Sequence, residues 1–442
     1  MQMTVRRWHA AMPWLVLLAV LLAQLPLILN PGYFSHDELQ WAAAAEQGPG
    51  FVWLATDAFQ YRPLTFGLWT WLSMHLFAQP QLFHLVLVAM GAANAALLHA
   101  LARRLGAATW PAAIAALVFA LGPYAAYVHG WVGTLGDLLW VGCALLVGLV
   151  ATGERPSWRI AVATFVLTTT ALLAKEAALS IPALALVAWT LDLPRRRPWR
   201  LVLLGSATPA LIYLALRYGP LLAAAPQGNA YDWSLAHLPL RWLEYQLFLP
   251  NLPVFEVHGT LARGFADKRT VIAGVLWLAL LFALARVGWR WAAAFVGGGI
   301  AALGPVLVLG ASASQYGYGF AAFIAGLLAV AWPSLPRWGR GVAVLMGVLV
   351  TLHGINVMRQ MRHVGEVQAV FSPALVDALA APRTTPLRLA PAADAEAWIF
   401  QRMTHEIPSY RGVPIGNRVQ VVGVGESADH VIQADGRLLP TR

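Results

Sequence analysis

Long apolar runs separated by short turns fill most of this chain. They lie near residues 11–30, 81–102, 108–123, 136–152, 158–174, 177–191, 200–223, 271–286, 291–311, 317–332 and 340–357. Runs of roughly 17–25 apolar residues have the length of membrane-crossing helices, so the pattern predicts about eleven spans with soft boundaries. Beyond Asn356 the pattern changes. Arg359, Arg362 and His363 open a more polar tail, in which Arg418 to Val424 and His430 to Gln433 read as short strands. Ala434 to Gly436 reads as the turn of a small hairpin. The expected division is a membrane unit over 1–357 and a small mixed α/β unit over 358–442.

The placement of arginine supports this reading. With the amino end in the cytoplasm, alternate turns should be basic, and Arg103 and Arg104, Arg155 and Arg159, Arg195 to Arg197, Arg286 and Arg290, and Arg337 and Arg340 fall in those turns. The loops at 31–80, 124–135, 224–270 and 312–316 then lie on the far side, together with the tail. The first run follows Arg6 and Arg7 but is too long for a signal peptide and lacks a small-residue cleavage site, so it reads as a retained span.

Composition removes the other classes. The chain has 442 residues, of which 59% are hydrophobic and only 11% charged, with a mean hydropathy of +0.63. Soluble domains carry about 25% charged residues. The formal charge of +10 resides in turns between spans, where it reports membrane orientation; no nucleic-acid partner is expected. Cys143 stands alone, which excludes an intrachain disulfide and a cysteine-based metal site.

The first outer loop carries the densest chemistry. Ser35-His36-Asp37-Glu38 matches a capping box that opens a short helix through Trp41 to Glu46, and Pro63 to Phe77 reads as an interfacial helix. Leu238 to Leu249 reads similarly in the large loop, so the two loops would form a wet roof over the bundle. Carboxylates at a membrane exit are functional candidates by default, although acids in a first helical turn also have a structural explanation in capping and the helix dipole.

Several stretches in order now resemble a known family. They are Asp37-Glu38, then Tyr61-Arg62-Pro63-Leu64, Phe83-His84-Leu85, Asn94 with His99, His129-Gly-Trp-Val-Gly with Asp137, Ala174-Lys175-Glu176, and an echo at Gln315-Tyr316-Gly-Tyr318. This series resembles the membrane part of the GT-C glycosyltransferases, in particular the protein O-mannosyltransferases and related enzymes with tetratricopeptide repeats, although no such repeat follows here. The fold expected is an all-α polytopic GT-C-like bundle with interfacial helices and a small outer domain. The resemblance implies a polyprenyl-phosphate-linked sugar donor, a glycan, lipid or protein acceptor, and a bacterial inner (cytoplasmic) membrane with the tail in the periplasm.

By the same resemblance Asp37 is the general base of an inverting transfer, with Glu38 beside it as a second catalytic candidate. Arg62, Lys175, Arg217 and Tyr316 are candidate ligands of the donor phosphate, which needs cationic or hydrogen-bonding groups at its oxygens. His84, His129, Trp131, Asp137 and Glu176 are candidate substrate contacts. Arg62 could instead pair with Asp37 or Glu38 in a purely structural role, though the site role is preferred, and the histidines read as hydrogen-bonded structural residues. A divalent cation is left open as a cofactor, with no metal ligands named. Two rival classes remain: a transporter or flippase of a lipid-linked sugar, which would want matching halves with broken spans, and a lipid-linked glycan ligase, for which His258, Arg263 and Lys268 would supply outer-loop cations.

Overall fold

The computed structural model describes residues 2–46, 60–153, 157–223, 232–380 and 384–441, with side chains omitted at 2–10 and 221–223. α1 (Gln2–Ala23) and the single turn α2 (Leu25–Ile28) bring the chain to one end of the bundle, where α3 (His36–Glu46) and α4 (Pro63–Leu76) lie. Pro63 and Pro80 sit in the first turns of α4 and of α5 (Pro80–Arg104), where a missing N–H leaves no bond unmade. α6 (Thr109–Leu121) and α7 (Pro123–His129) meet at Gly122-Pro123 with a bend of 60°. α8 (Leu135–Ala151), α9 (Trp158–Ala174), α10 (Ser180–Leu191) and α11 (Arg196–Ala223) follow. After the amphipathic α12 (Leu238–Phe248) come α13 (Lys268–Val287), α14 (Trp289–Leu303), α15 (Tyr318–Ala331) and the 43-residue α16 (Arg337–Leu379).

Among the described residues, seven helices are long and apolar enough to cross a membrane, or eight if the bent α6–α7 pair is one span. The expected count of about eleven is not reached by that measure. The three remaining runs form shorter apolar helices, Ala11–Ala23, Trp158–Ala174 and Glu176–Leu191. Local breaks account for two of them. Pro26 interrupts the first run beyond Gln24, and Lys175 takes an extended backbone (φ −163°, ψ 142°) that ends α9. Many large apolar side chains face outward, including Leu211, Leu216, Leu278 and Phe282, as a bilayer-embedded surface requires.

α16 would be about 65 Å long, twice a hydrocarbon core of about 30 Å. It therefore projects beyond the bundle, and the boundary expected at 357–358 falls inside it. On its projecting half sits β1 (Leu387–Pro391), α17 (Ala397–Thr404), the small pair β2 (Ser409–Tyr410) and β3 (Val413–Pro414), and β4 (Val419–Val421), β5 (His430–Ile432) and β6 (Leu438–Pro440). The main sheet has the order β4-β1-β5-β6; β1 pairs in parallel with β4 and β5, and β5–β6 is the expected hairpin. Its apolar face joins Phe371, Leu375 and Leu379 of α16, and the same core takes in Phe34 and Leu39 of the loop after α2 and Tyr127 of α7. Tail and first loop are thus one packed unit.

Candidate active site at one end of the bundle

The loop that carries Asp37 is clamped from below. A Cβ on Gly32 would stand 2.2 Å from the carbonyl oxygen of Gly365, so only glycine allows the chain to lie this close to α16. The Tyr33 N–H donates to Gln368 Oε1 (2.9 Å), and its hydroxyl donates to the Phe77 carbonyl (2.6 Å). The capping box then forms: the Ser35 N–H donates to Glu38 Oε2 (3.1 Å), and the Asp37 N–H lies 3.4 Å from Ser35 Oγ.

The two acids part company here. Glu38 is almost fully buried, and its second oxygen accepts from the Val132 N–H (3.1 Å), tying α3 to the start of the α7–α8 connection. Burial, reinforced by the charge of Asp37, pushes its carboxyl up to about 8. Asp37 instead keeps a fifth of its side chain exposed, with His36 Nε2 3.6 Å from Oδ1. Its Oδ2 lies against Gly133: a Cβ there would meet Oδ2 at 2.6 Å and the Trp131 indole at 2.7 Å. The aromatic ring and the carboxylate share one small space that glycine keeps open.

One helical turn on, a second cluster begins. A Cβ on Gly136 would meet the Ala174 carbonyl at 2.9 Å and Lys175 Cβ at 3.3 Å. Thr65 Oγ1 donates to that same carbonyl (2.7 Å), pinning α4 to the break between α9 and α10. Buried Lys175 donates to Asp137 Oδ2 and lies 4.8 Å from the centre of the Tyr316 ring, while the Trp140 N–H donates to the other oxygen of Asp137 (3.1 Å). Arg62 approaches one oxygen of Glu176 through both Nε and Nη2, each at 2.8 Å. Arg217, fully buried, lies over the Tyr61 ring (5.7 Å) and is hydrogen-bonded to Tyr213, whose hydroxyl also feels the charges of Glu176 and Arg62.

The residues singled out in sequence therefore divide. Asp37 and Trp131 meet at Gly133; Arg62, Asp137, Lys175, Glu176 and Tyr316 gather one turn further along, beside Gly136 and Asp137, and Arg217 stands with Tyr61 and Tyr213. Glu38 acts as a buried tie. His84 and His129 stand apart from both groups: His84 Nε2 bonds the Gly32 carbonyl (2.9 Å), and His129 is enclosed between Gln24 Oε1 (2.8 Å) and the Tyr318 hydroxyl (3.1 Å). Both rings are buried and hold protein partners, as the structural reading expects, although His84 Nδ1 has none among the described residues.

Arg402 of α17 was not legible as a site residue. Its Nη2 stands 3.2 Å from Ser35 Oγ, its Nη1 3.7 Å from Glu256 Oε1, and its guanidinium lies over Phe34 (4.6 Å) and Trp131 (5.7 Å). The only sequence signal is an arginine in an amphipathic eight-residue helix. The first-loop stretch 47–59 and the large-loop stretch 224–231, both assigned to the expected roof, lie outside the described residues. A cavity of about 590 Å³ opens between residues 251–269 and α17, and a largely apolar one of about 560 Å³ lies at the opposite end of the bundle; neither is lined by Asp37, Arg62 or Lys175. Among the described residues no group of three or more His, Cys, Asp or Glu side chains could hold a metal ion. Comparison with protein-family models, with curated proteins and with solved structures finds no match.

Proposed function

We propose that this chain is a membrane glycosyltransferase that moves a monosaccharide from a polyprenyl-phosphate donor to an acceptor hydroxyl on the outer side, in a bacterial inner membrane. One juxtaposition supports the reading: a partly exposed carboxylate, Asp37, lies against Gly133, and one turn further along the same segment the pairs Lys175–Asp137 and Arg62–Glu176 bring two cations together at Gly136 and Asp137.

The chemistry assigned to these groups is an in-line displacement. The acceptor oxygen attacks the anomeric carbon on the face opposite the phosphate, and its proton passes to Asp37. A new carbon–oxygen bond forms at that carbon while its bond to the phosphate oxygen breaks, the electron pair leaving with polyprenyl phosphate. Attack from the opposite face inverts the anomeric centre. Lys175 has three N–H donors, and Asp137 takes one of them, so a phosphate oxygen can be added without breaking the pair. Donors fixed before the reaction stabilise charge that builds on the leaving group. Trp131, beside Asp37, offers an apolar face to a sugar ring.

The reading is tested by turnover. Reconstituted protein given a polyprenyl-phosphate sugar and crude cell-envelope acceptor should release polyprenyl phosphate. Asp37→Asn, isosteric and partly exposed, should reduce release by at least about a hundredfold, the lower range for loss of a general base, with an unchanged melting temperature. Normal turnover by that variant would remove Asp37 as the base. Movement of intact labelled lipid between leaflets, without cleavage, would replace the enzyme with a transporter.

A further inference from the structure

We infer that the cavity between the loop 251–269 and α17 is a binding site for a negatively charged saccharide, and that it seats the acceptor; the second half of this statement rests on the transferase reading above. The cavity holds about 590 Å³, within the range of roughly 300–1,000 Å³ typical of small-molecule sites. Its floor contains Asn251 and Thr260, each only 3% exposed, and neither Asn251 Oδ1 nor Thr260 Oγ1 has a hydrogen-bond partner among the described residues. Buried polar atoms are nearly always paired, so two orphans lining one hollow mark the place of a polar guest. A carbonyl oxygen beside a hydroxyl suits a ligand rich in hydroxyl groups.

The walls add a sign of charge. Arg263 and Arg269 line the cavity, are exposed, and make no ion pair with any described residue. The two acids present are already engaged. Glu256 faces Arg402 (3.7 Å) and His258 (3.2 Å), and Asp267 accepts from the Arg269 and Thr270 N–H groups as the N-cap of α13. The unpaired charge facing a ligand is therefore positive, and arginine forks match carboxylate or phosphate oxygens. Phe255 and Trp398, with ring centres 6.4 Å apart, provide the aromatic surface on which sugar rings stack.

The position relative to Asp37 gives the site its role. Arg402 belongs to the cavity wall, and its guanidinium is hydrogen-bonded to Ser35, the cap residue two positions before Asp37. A chain-like acceptor held against Trp398 can therefore present a hydroxyl past Arg402 toward Asp37.

Calorimetry on full-length protein in nanodiscs tests this with three probes: an oligogalacturonate, a sugar phosphate and a neutral maltooligosaccharide of matched length. An acidic probe should bind at least about tenfold more tightly than the neutral one, the worth of a single charge-assisted hydrogen bond; whichever acidic probe prevails names the anion. Arg263→Ala with Arg269→Ala should erase that preference, and Thr260→Val should weaken all binding while leaving the melting temperature in place. Equal binding of neutral and acidic probes, no binding at millimolar concentration, or full affinity in the double-arginine variant would overturn the assignment. Asp37→Asn should bind normally. Binding without any transfer would sink the transferase reading alone, and transfer with no acidic binding would sink this one alone.

Discussion

At the scale of single residues, neighbouring acids have opposite fates. Glu38 is held by backbone donors from two segments in a dry setting, whereas Asp37, one position earlier on the helix, projects toward Trp131 and solvent. Because the folded carboxyl of Glu38 is raised from 4.5 to about 8, ionisation disfavours the fold: its stabilisation is complete below about pH 4.5 and is lost as pH rises through 8. Melting temperature measured across pH 5–9 should fall for the wild type, and Glu38→Gln should flatten that slope. A second prediction concerns Lys175 and Asp137. Removing one partner strands a buried charge, so Lys175→Met alone should destabilise by about 3–5 kcal/mol. Lys175→Met combined with Asp137→Leu should recover most of that in denaturant unfolding, without restoring transfer.

At the scale of elements, close crossings depend on particular glycines. A Cβ on Gly354 would stand 1.8 Å from the Leu121 carbonyl oxygen, where α16 crosses the α6–α7 bend. Backbone cannot yield as a flexible side chain does. Gly354→Ala should therefore lower stability by at least the roughly 1–3 kcal/mol of ordinary overpacking, read from the thermal midpoint. The control Gly341→Ala, on the same helix with open space around it, should leave the midpoint unchanged or raise it. Elements with strong local signals were legible in sequence: α3 from its capping box, α12 from its amphipathic run, and the β5–β6 hairpin from its Asp-Gly turn. β1 was missed, since Leu387–Pro391 lies between Pro386 and Pro391 and acquires its identity from pairing with two strands distant along the chain.

For the whole molecule, one charge asymmetry sets orientation. The end opposite Asp37 bears Arg103, Arg104, Arg195, Arg196, Arg286 and Arg290, and the positive-inside tendency places it in the cytoplasm under the reading proposed here. Cys143 is the single cysteine and is 9% exposed, so replacing it with alanine gives a clean background. In that background a cysteine introduced at Gly412, an exposed glycine at the β2–β3 turn, should react with a membrane-impermeant maleimide added to intact spheroplasts. Labelling only after lysis would reverse the orientation and place Asp37 on the cytoplasmic side.

Composition and hydrophobic period were sufficient to specify a multi-pass helical membrane protein, because hydrocarbon forces each crossing segment to satisfy its own backbone and so to declare itself in local sequence. They also marked the outer-loop acids and the arginine turns, whose free-energy consequences near a membrane are local. The approach of Arg62 to Glu176 and of Lys175 to Asp137, the burial of His84 and His129 beside protein partners, and the arrival of Arg402 beside Ser35 were decided by tertiary packing alone. Those contacts join residues as far as 367 positions apart, and no periodicity along a chain encodes which helix faces will meet.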